Sequence, residues 1–266
     1  MPKFTHQAYL KNDQYRNASN LNARIEIHQR FSTNPQGWFP WVWKTLEQLP
    51  QQARVLELGC GAGSLWTACP GRIPASWSLT LSDLSEGMLQ AAWRNLVVIG
   101  RGIKFEQIDA QSIPYPDETF DIVIANHMLY HVPDRPKALA EIRRILKPGG
   151  HLVAATVGAN HLKEMTDWFL RVKADMDMAA VTIPFTLENG SEQLQPFFNQ
   201  IETRRYEDSL RITEIPPLMA YIRSTSKFGD APEAAFAQLE QELTAELQAK
   251  GEIFVTKDSG LFLAIK

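Results

Sequence analysis

Two cysteines among 266 residues, Cys60 and Cys69, are too few for a disulfide framework or a four-thiolate zinc site. No apolar run reaches the roughly 18 residues needed to cross a bilayer. The opening residues, M-P-K-F-T-H-Q, lack the apolar stretch of a signal peptide. Excess charge of one sign is also missing. The 27 Lys and Arg against 30 Asp and Glu give −3, so no bulk positive field attracts nucleic acid or anionic lipid. Internal repeats and low-complexity tracts are absent. The expectation is a cytoplasmic globular protein without a membrane or nucleic-acid partner.

What is present is enough apolar residue, 44%, to bury a sizeable core. Residues 1–50 begin polar and become aromatic, with Trp38, Phe39, Trp41 and Trp43 in six positions. Within them, 20–31 predicts a helix that places Leu21, Arg24, Ile25 and His28 on one face. From Arg54 the period changes. Short apolar runs at 55–58, 79–81, 103–108, 120–125 and 152–157 predict strands, and 86–96 and 136–146 predict helices between them. The second of these helices has Pro136 in its first turn and Lys147-Pro148-Gly149-Gly150 at its end. Such alternation implies an α/β fold, a parallel sheet covered on both faces.

The second half is expected to hold helices over 161–177 and within 187–198, and a strand over 201–212. Phe236, Leu239, Leu243 and Leu247 recur at helical spacing, and 253–265 predicts a hairpin turning at Asp258-Ser259-Gly260. No linker composition appears, so one domain is expected. Its parts are an N-terminal lid (1–50), a ligand-binding core (51–157), a cap insertion (158–198) and terminal elements completing the sheet (199–266).

The first strand runs directly into Gly59-Cys60-Gly61-Ala62-Gly63, which lets backbone N–H groups approach a ligand. The dinucleotide fingerprint would need a third glycine where Ser64 stands. Glu57, two residues before the loop, would repel a pyrophosphate but suits a ligand bearing an ammonium. Asp83 ends the second strand, where an acid accepts the hydroxyls of a ribose. Asp109, Ala110 and Gln111 follow the third strand and could meet an adenine edge. Asn126 ends the fourth. These are C-terminal strand ends, the binding edge of an open α/β sheet.

V-L-E-L-G-C-G-A-G, L-S-D-L-S-E-G-M-L, the run from Ile113 to Asp134 and R-R-I-L-K-P-G-G together resemble a class I S-adenosylmethionine-dependent methyltransferase of the small-molecule group. The likeness is close over residues 50–157 and looser beyond. It implies a Rossmann-like, doubly wound, seven-stranded sheet with an antiparallel last strand, an N-terminal helical lid and a helical insertion between strands 5 and 6. It also implies S-adenosylmethionine as cofactor, S-adenosylhomocysteine as product and no metal. Glu57 with Gly59, Cys60, Gly61 and Gly63 would hold the methionine part, and Asp83 the ribose. Leu84 and Met88 would lie against adenine, Asp109, Ala110 and Gln111 at its edge, and Asn126 toward the ribose or methionine.

A sulfonium is an activated donor, so the protein's task is to align an acceptor and exclude water. His127 and His131, beside the expected methyl position, are the candidate catalytic bases. Neither has partners at metal-ligand spacing. Arg24 is a candidate for the cofactor carboxylate, with Tyr15 or Tyr9 closing over the same end. The Trp38–Trp43 stretch, and Met165, Trp168, Phe169 and Met176 of the cap, could line or roof a pocket for a small apolar or aromatic acceptor. The partner expected is that acceptor, for a monomer or homodimer. Two other readings stay open: a nicotinamide-dependent oxidoreductase, and a cofactor-binding scaffold without turnover.

Overall fold

The apolar run Ala53–Leu58 forms β1, and the other parallel strands assemble on both sides of it. These are β2 (Trp77–Asp83), β3 (Lys104–Gln107), β4 (Phe120–Asn126) and β5 (Leu146–Val157). β6 (Gln200–Ile212) and β7 (Ile253–Ile265) complete a seven-stranded sheet in the order β3-β2-β1-β4-β5-β7-β6. β7 is antiparallel to both of its neighbours, as the resemblance implied. The computed structural model describes residues 5–100, 102–173, 182–225 and 231–266.

The helices in chain order are α1 (Gln7–Tyr9), α2 (Ser19–Phe31), α3 (Trp38–Leu46), α4 (Ser64–Ala68) and α5 (Glu86–Leu96). They continue with α6 (Arg135–Ile145), α7 (Lys163–Val172), α8 (Gly190–Leu194), α9 (Ile215–Ser224) and α10 (Glu233–Lys250). Side chains alternate across a strand, so one sheet faces two cores. Leu56, Leu58, Val123 and Leu152 bury against Leu139 and Ile142 of α6. Val55, Ile122, Ile124 and Val153 bury against Trp43 and Leu46 of α3 and Ala92 and Leu96 of α5. Helix starts have local causes. Ser85 accepts from the Met88 N–H and Asp134 from the Lys137 N–H, capping α5 and α6.

β6 and β7 run past the end of β5, whose last pair is Val157 with Ser259. This two-stranded extension carries a third core, built from Ile27 and Phe31 of α2, Met165, Trp168 and Phe169 of α7, Leu218 and Ile222 of α9, and Phe236, Leu239 and Leu243 of α10. It forms a cap beyond the C-terminal edge of β5.

Several expectations are corrected. Residues 253–265 form one continuous strand, not a hairpin. Gly260 stands in the ladder opposite Thr156 and Arg205, and a Cβ there would lie 2.3 Å from the Arg204 carbonyl oxygen. The glycine admits a neighbouring backbone and does not turn the chain. Gly260→Ala should therefore lower stability by about 1–3 kcal/mol, read as a fall in melting temperature; an unchanged value would remove the close-approach argument.

The predicted lid divides, because α3 packs into the sheet core through Val42, Trp43 and Leu46. In α2 the buried residues are Ile27 and Phe31, while Leu21, Arg24, Ile25 and His28, expected on one face, are half-buried. Met165, Trp168 and Phe169 are buried against α9 and α10 and so fill the cap's own core, not the roof of a pocket. The helix predicted over 161–177 is seen as Lys163–Val172, and Met176 lies outside the described residues. Helix α9 had no counterpart in the sequence reading; its signal was Pro216 and Pro217 at a helix start followed by Leu218, Met219 and Ile222.

Candidate functional site

The strand order reverses at β1 and β4, and ligands of open α/β sheets bind outside the C-terminal strand ends at such a point. Glu57, Asp83 and Asn126 stand at the ends of β1, β2 and β4, and Asp109 lies just past β3. Their adjacency follows from strand register: Glu57 pairs with Leu81 on one side and Ile124 on the other.

Gly59, Gly61 and Gly63 all have positive φ, 68°, 55° and 78°, and bend the chain from β1 into α4. Cys60 between them is buried, its N–H bound to the Ser82 carbonyl, and burial raises its thiol pKa well above the usual value. It fills the loop as an inert side chain.

The Asp83 carboxylate accepts from the Gly61 N–H at 2.9 Å and the Ser85 N–H at 2.8 Å. One acid thus fixes both the glycine loop and the start of α5. Glu57 is 2% exposed and accepts from the Trp66 indole at 2.5 Å. Burial raises its pKa to about 7, against that hydrogen bond, with the Asp83 charge adding to the rise. Asp109 accepts from the Gln111 N–H at 2.9 Å and the Gln7 amide at 3.0 Å. Ala110 and Met88 are buried, and Leu84 is half-buried. The Gln111 side-chain amide oxygen, Oε1, meanwhile accepts from the Asp134 N–H, tying this loop to α6. Asn126 ends β4 with its side-chain oxygen buried and without a hydrogen-bond partner.

The N-terminal segment covers this edge. Ser85 Oγ donates to the Tyr15 carbonyl at 2.7 Å, and a Cβ at Gly87 would lie 2.0 Å from the Arg16 carbonyl oxygen. The Tyr15 hydroxyl lies 3.0 Å from His131 Nε2 and accepts from Arg24 at 3.4 Å. Arg24 is itself held by Ser224 of α9, donating to its carbonyl at 2.8 Å. Tyr9 reaches Gln14 at 3.5 Å. The structure thus joins His131 to Tyr15 and Arg24, a link that the sequence did not give.

After Asn126, His127 has a positive φ of 57°, costly for a residue with a Cβ, and its N–H is bound to the Ala155 carbonyl. Its ring packs 5.0 Å from Trp38, which stacks 5.2 Å from Trp41. Burial lowers the His127 pKa to about 4, helped by the charges of Lys257 and His131. Trp43, in contrast, is fully buried and donates to the Leu65 carbonyl, a core residue. His28, His161, Tyr221 and the buried Lys257–Asp208 pair surround the same end of the sheet; of these, sequence reasoning singled out only His28, on the face it shares with Arg24. Among the described residues no group of His, Cys, Asp or Glu could hold a metal ion, and no helix is long and apolar enough to cross a membrane.

Residues 56–154 match the family model described as a methyltransferase domain. Over these residues the chain is similar to a methyltransferase domain. Over 103 residues it is 37% identical to the ubiquinone/menaquinone biosynthesis C-methyltransferase UbiE of Pasteurella multocida, a stretch covering 38% of each chain. The chain thus spans about two-fifths of the length of the curated relatives it matches. Phosphoethanolamine N-methyltransferase 2 of Haemonchus contortus, solved with S-adenosyl-L-methionine, superposes with a TM-score of 0.61 at 20% identity, over 98% of this chain and 59% of that one. The [4+2]-cyclase SpnF gives 0.60 at 20% identity, over 95% and 94%. A cyclase and a methyltransferase fit this methyltransferase domain equally well, so the structural likeness carries the fold and not the reaction.

Proposed function

We propose that the protein transfers a methyl group from S-adenosylmethionine to a small-molecule acceptor by in-line displacement. The observation that carries this reading is Asp83, a carboxylate at the end of β2 that pins the glycine loop, the position at which an acid of this fold accepts ribose hydroxyls. The residues present fit the cofactor. Asn126 offers an unpartnered buried oxygen, and Glu57 a buried carboxyl that an ammonium would ionise. Glu57 and the Gly59–Gly63 loop would hold the methionine part, Leu84 and Met88 the adenine face, and Asp109, Ala110 and Gln111 its edge. When bound, the cofactor supplies the activated methyl group. The chain's residues orient the acceptor and exclude water.

His127 and His131 are the candidate bases, in different states. His127 stays neutral at all pH values above about 4, so its own titration leaves activity flat from pH 5 to 8. His131 is tied to the lid through Tyr15, which couples its orientation to closure of the N-terminal segment. Titration calorimetry with S-adenosylmethionine, S-adenosylhomocysteine and NAD tests the reading. Micromolar binding of the first two supports it, and binding of NAD alone replaces it with the oxidoreductase.

Arg24 is placed by Ser224 at the lid's inner end, where a carboxylate would meet it. Arg24→Ala should weaken S-adenosylhomocysteine binding at least about fivefold, on the order of 1 kcal/mol. Unchanged affinity in a folded variant would remove Arg24 from the cofactor site.

Glu57 makes binding pH-dependent. Below pH 7 the free protein holds Glu57 protonated, and an ammonium beside it favours the charged form, so binding expels a proton. Affinity should fall as pH drops from 8 to 6. Calorimetry at pH 6 in buffers of different ionisation enthalpy should report proton release, and no buffer dependence would contradict this role.

A further inference from the structure

The outer face of α5 carries apolar side chains where a solvent-facing helix normally carries polar ones. Among the described residues four large apolar side chains are exposed, and three of them, Trp93, Val97 and Val98, fall within six positions. The fourth, Phe254, lies on β7, toward the other side of the sheet. Single exposed apolar residues are ordinary, but a cluster marks a surface that something covers. Gln90, Trp93, Arg94 and Val97 share the solvent face at helical spacing, while Met88, Leu89, Ala92 and Leu96 are buried. Past Leu96 the chain makes one tight turn, Val97–Ile99, closed by Gly100 at a φ of 68°. That turn leaves Val98 83% exposed. Beside it, Leu89, Trp93 and Phe105 line a shallow apolar depression between α5 and β3.

The charge around this patch has one sign. Residues 87–105 hold Arg94, Arg101 and Lys104 and no Asp or Glu, in a chain whose net charge is −3. Arg94 stands on the exposed helix face itself, and Lys104 opens β3 at the end of the sheet where α5 stops. Arg101 lies outside the described residues and counts by sequence alone. The acids that bound the stretch are engaged elsewhere. Glu86 accepts from Gln90 at 3.4 Å, and Glu106 from the Tyr115 hydroxyl at 2.7 Å.

Exposed Trp and Val beside cations are what binds the interface of an anionic bilayer, through buried apolar area and charge together. Trp favours that boundary, because its ring is apolar while its N–H keeps a polar contact. A second copy of the chain fits less well. A symmetric pair would set the same cations against themselves, and three side chains fall far short of the roughly 800 Å² per partner that a stable interface buries. A nucleic acid would use the cations but leave Val97 and Val98 in water.

We propose that the C-terminal end of α5, with the Val97–Ile99 turn, docks the protein on an anionic membrane surface. Trp93, Val97 and Val98 enter the headgroup boundary, and Arg94, Arg101 and Lys104 meet the lipid phosphates. The overall −3 excludes a bulk attractive field, but a local surplus of cations acts within a Debye length of the bilayer. Helix α5 is capped by Ser85, beside Asp83, and runs back along the sheet, so the docked end lies opposite the ligand edge. That edge stays open to water. Docking of this kind is independent of the methyltransferase reading.

Flotation of the full chain with lipid vesicles is the test. Vesicles of phosphatidylcholine and phosphatidylglycerol in equal parts should bind it at least tenfold more tightly than phosphatidylcholine alone, and added salt should weaken the binding. Val97→Asp with Val98→Asp should lower binding at least tenfold at an unchanged melting temperature, since both side chains are exposed. Arg94→Glu should weaken it severalfold, and Phe254→Ser should leave it unchanged. Failure to bind the mixed vesicles overturns the proposal, as does equal binding to both compositions. Undiminished binding of the double variant does the same. A concentration-dependent dimer that the double variant dissolves, without vesicle binding, replaces the membrane by a second copy of the chain.

Discussion

Asp83→Ala is expected to abolish S-adenosylmethionine binding in calorimetry, with Kd raised at least about a hundredfold, in a protein that still folds. The effect has two sources. The ribose hydroxyls would lose a charged acceptor, and hydrogen bonds to charged groups contribute about 1.5–3 kcal/mol each. The Gly61 and Ser85 N–H groups would also lose the oxygens that fix the glycine loop and the start of α5. Stability should change far less than affinity. In the free protein burial opposes the Asp83 charge and raises its pKa, so the carboxylate is held there at a cost to the fold. Asp83→Asn, which retains one acceptor oxygen, separates the two sources: it should preserve the melting temperature and still bind poorly. A Kd within fivefold of the parent for a folded Asp83→Ala protein would remove this residue from the ligand site.

Lys257→Met should have the largest effect on stability. The Lys257 and Asp208 side chains are 5% and 0% exposed, and they stand opposite each other on β7 and β6, in the extension that carries the cap. Asp208 also accepts from the Thr33 and Asn34 N–H groups at 3.0 Å, which anchors the chain between α2 and α3. Burial works against the Asp208 charge, but Lys257 and Ser32 reverse this and hold its pKa below the usual carboxylate range. Removing the ammonium leaves a buried carboxylate without a counter-charge, at a cost of about 3–5 kcal/mol. The melting temperature should fall by roughly 10 °C on the scale of a chain this size. Lys257→Met with Asp208→Asn should recover much of the loss, since no net charge then remains buried, and the double-mutant cycle reads their coupling. A single variant that melts within 2 °C of the parent would show that water or a rearranged neighbour compensates Asp208.

The Asp208 contribution has a defined pH dependence. Its folded pKa lies below the unfolded value of 3.8, so its stabilisation is complete above that value and is lost as pH falls through the folded pKa. The buried histidines act at higher pH. His127 and His161, at about 4 and about 3, stay neutral in the fold while the unfolded chain takes up protons below 6.5. They withdraw stability progressively from pH 6.5 downward.

The glycine loop and the acids at the strand ends were legible in the sequence because their determinants are local. A strand ending in Glu57, then Gly59–Gly63, specifies a loop by backbone freedom alone, and Asp83 and Asn126 follow from strand ends that an apolar run marks. Parallel pairing then brings those ends together. Helix α5 was readable to the residue, since Ser85 caps it and its apolar face has one period.

The edge of aromatic rings and histidines was not legible, because its residues lie on α2, α3, the loop after β4, the turn after β5 and β7, far apart in the chain. The hairpin expected at Asp258-Ser259-Gly260 failed for the same reason. Glycine marks a turn locally, but here it answers to the Arg204 backbone across the sheet. Trp38 and Trp43, five residues apart, have opposite fates, one against His127 and the other in the core, because α3 presents them to different neighbours. Sequence by itself determined the sheet, its loop and the acids at the strand ends, through local backbone preference and periodic burial. Tertiary structure alone decided which histidines are neutral, which lysine is paired and which aromatic rings meet, because burial and charge compensation depend on contacts between distant segments.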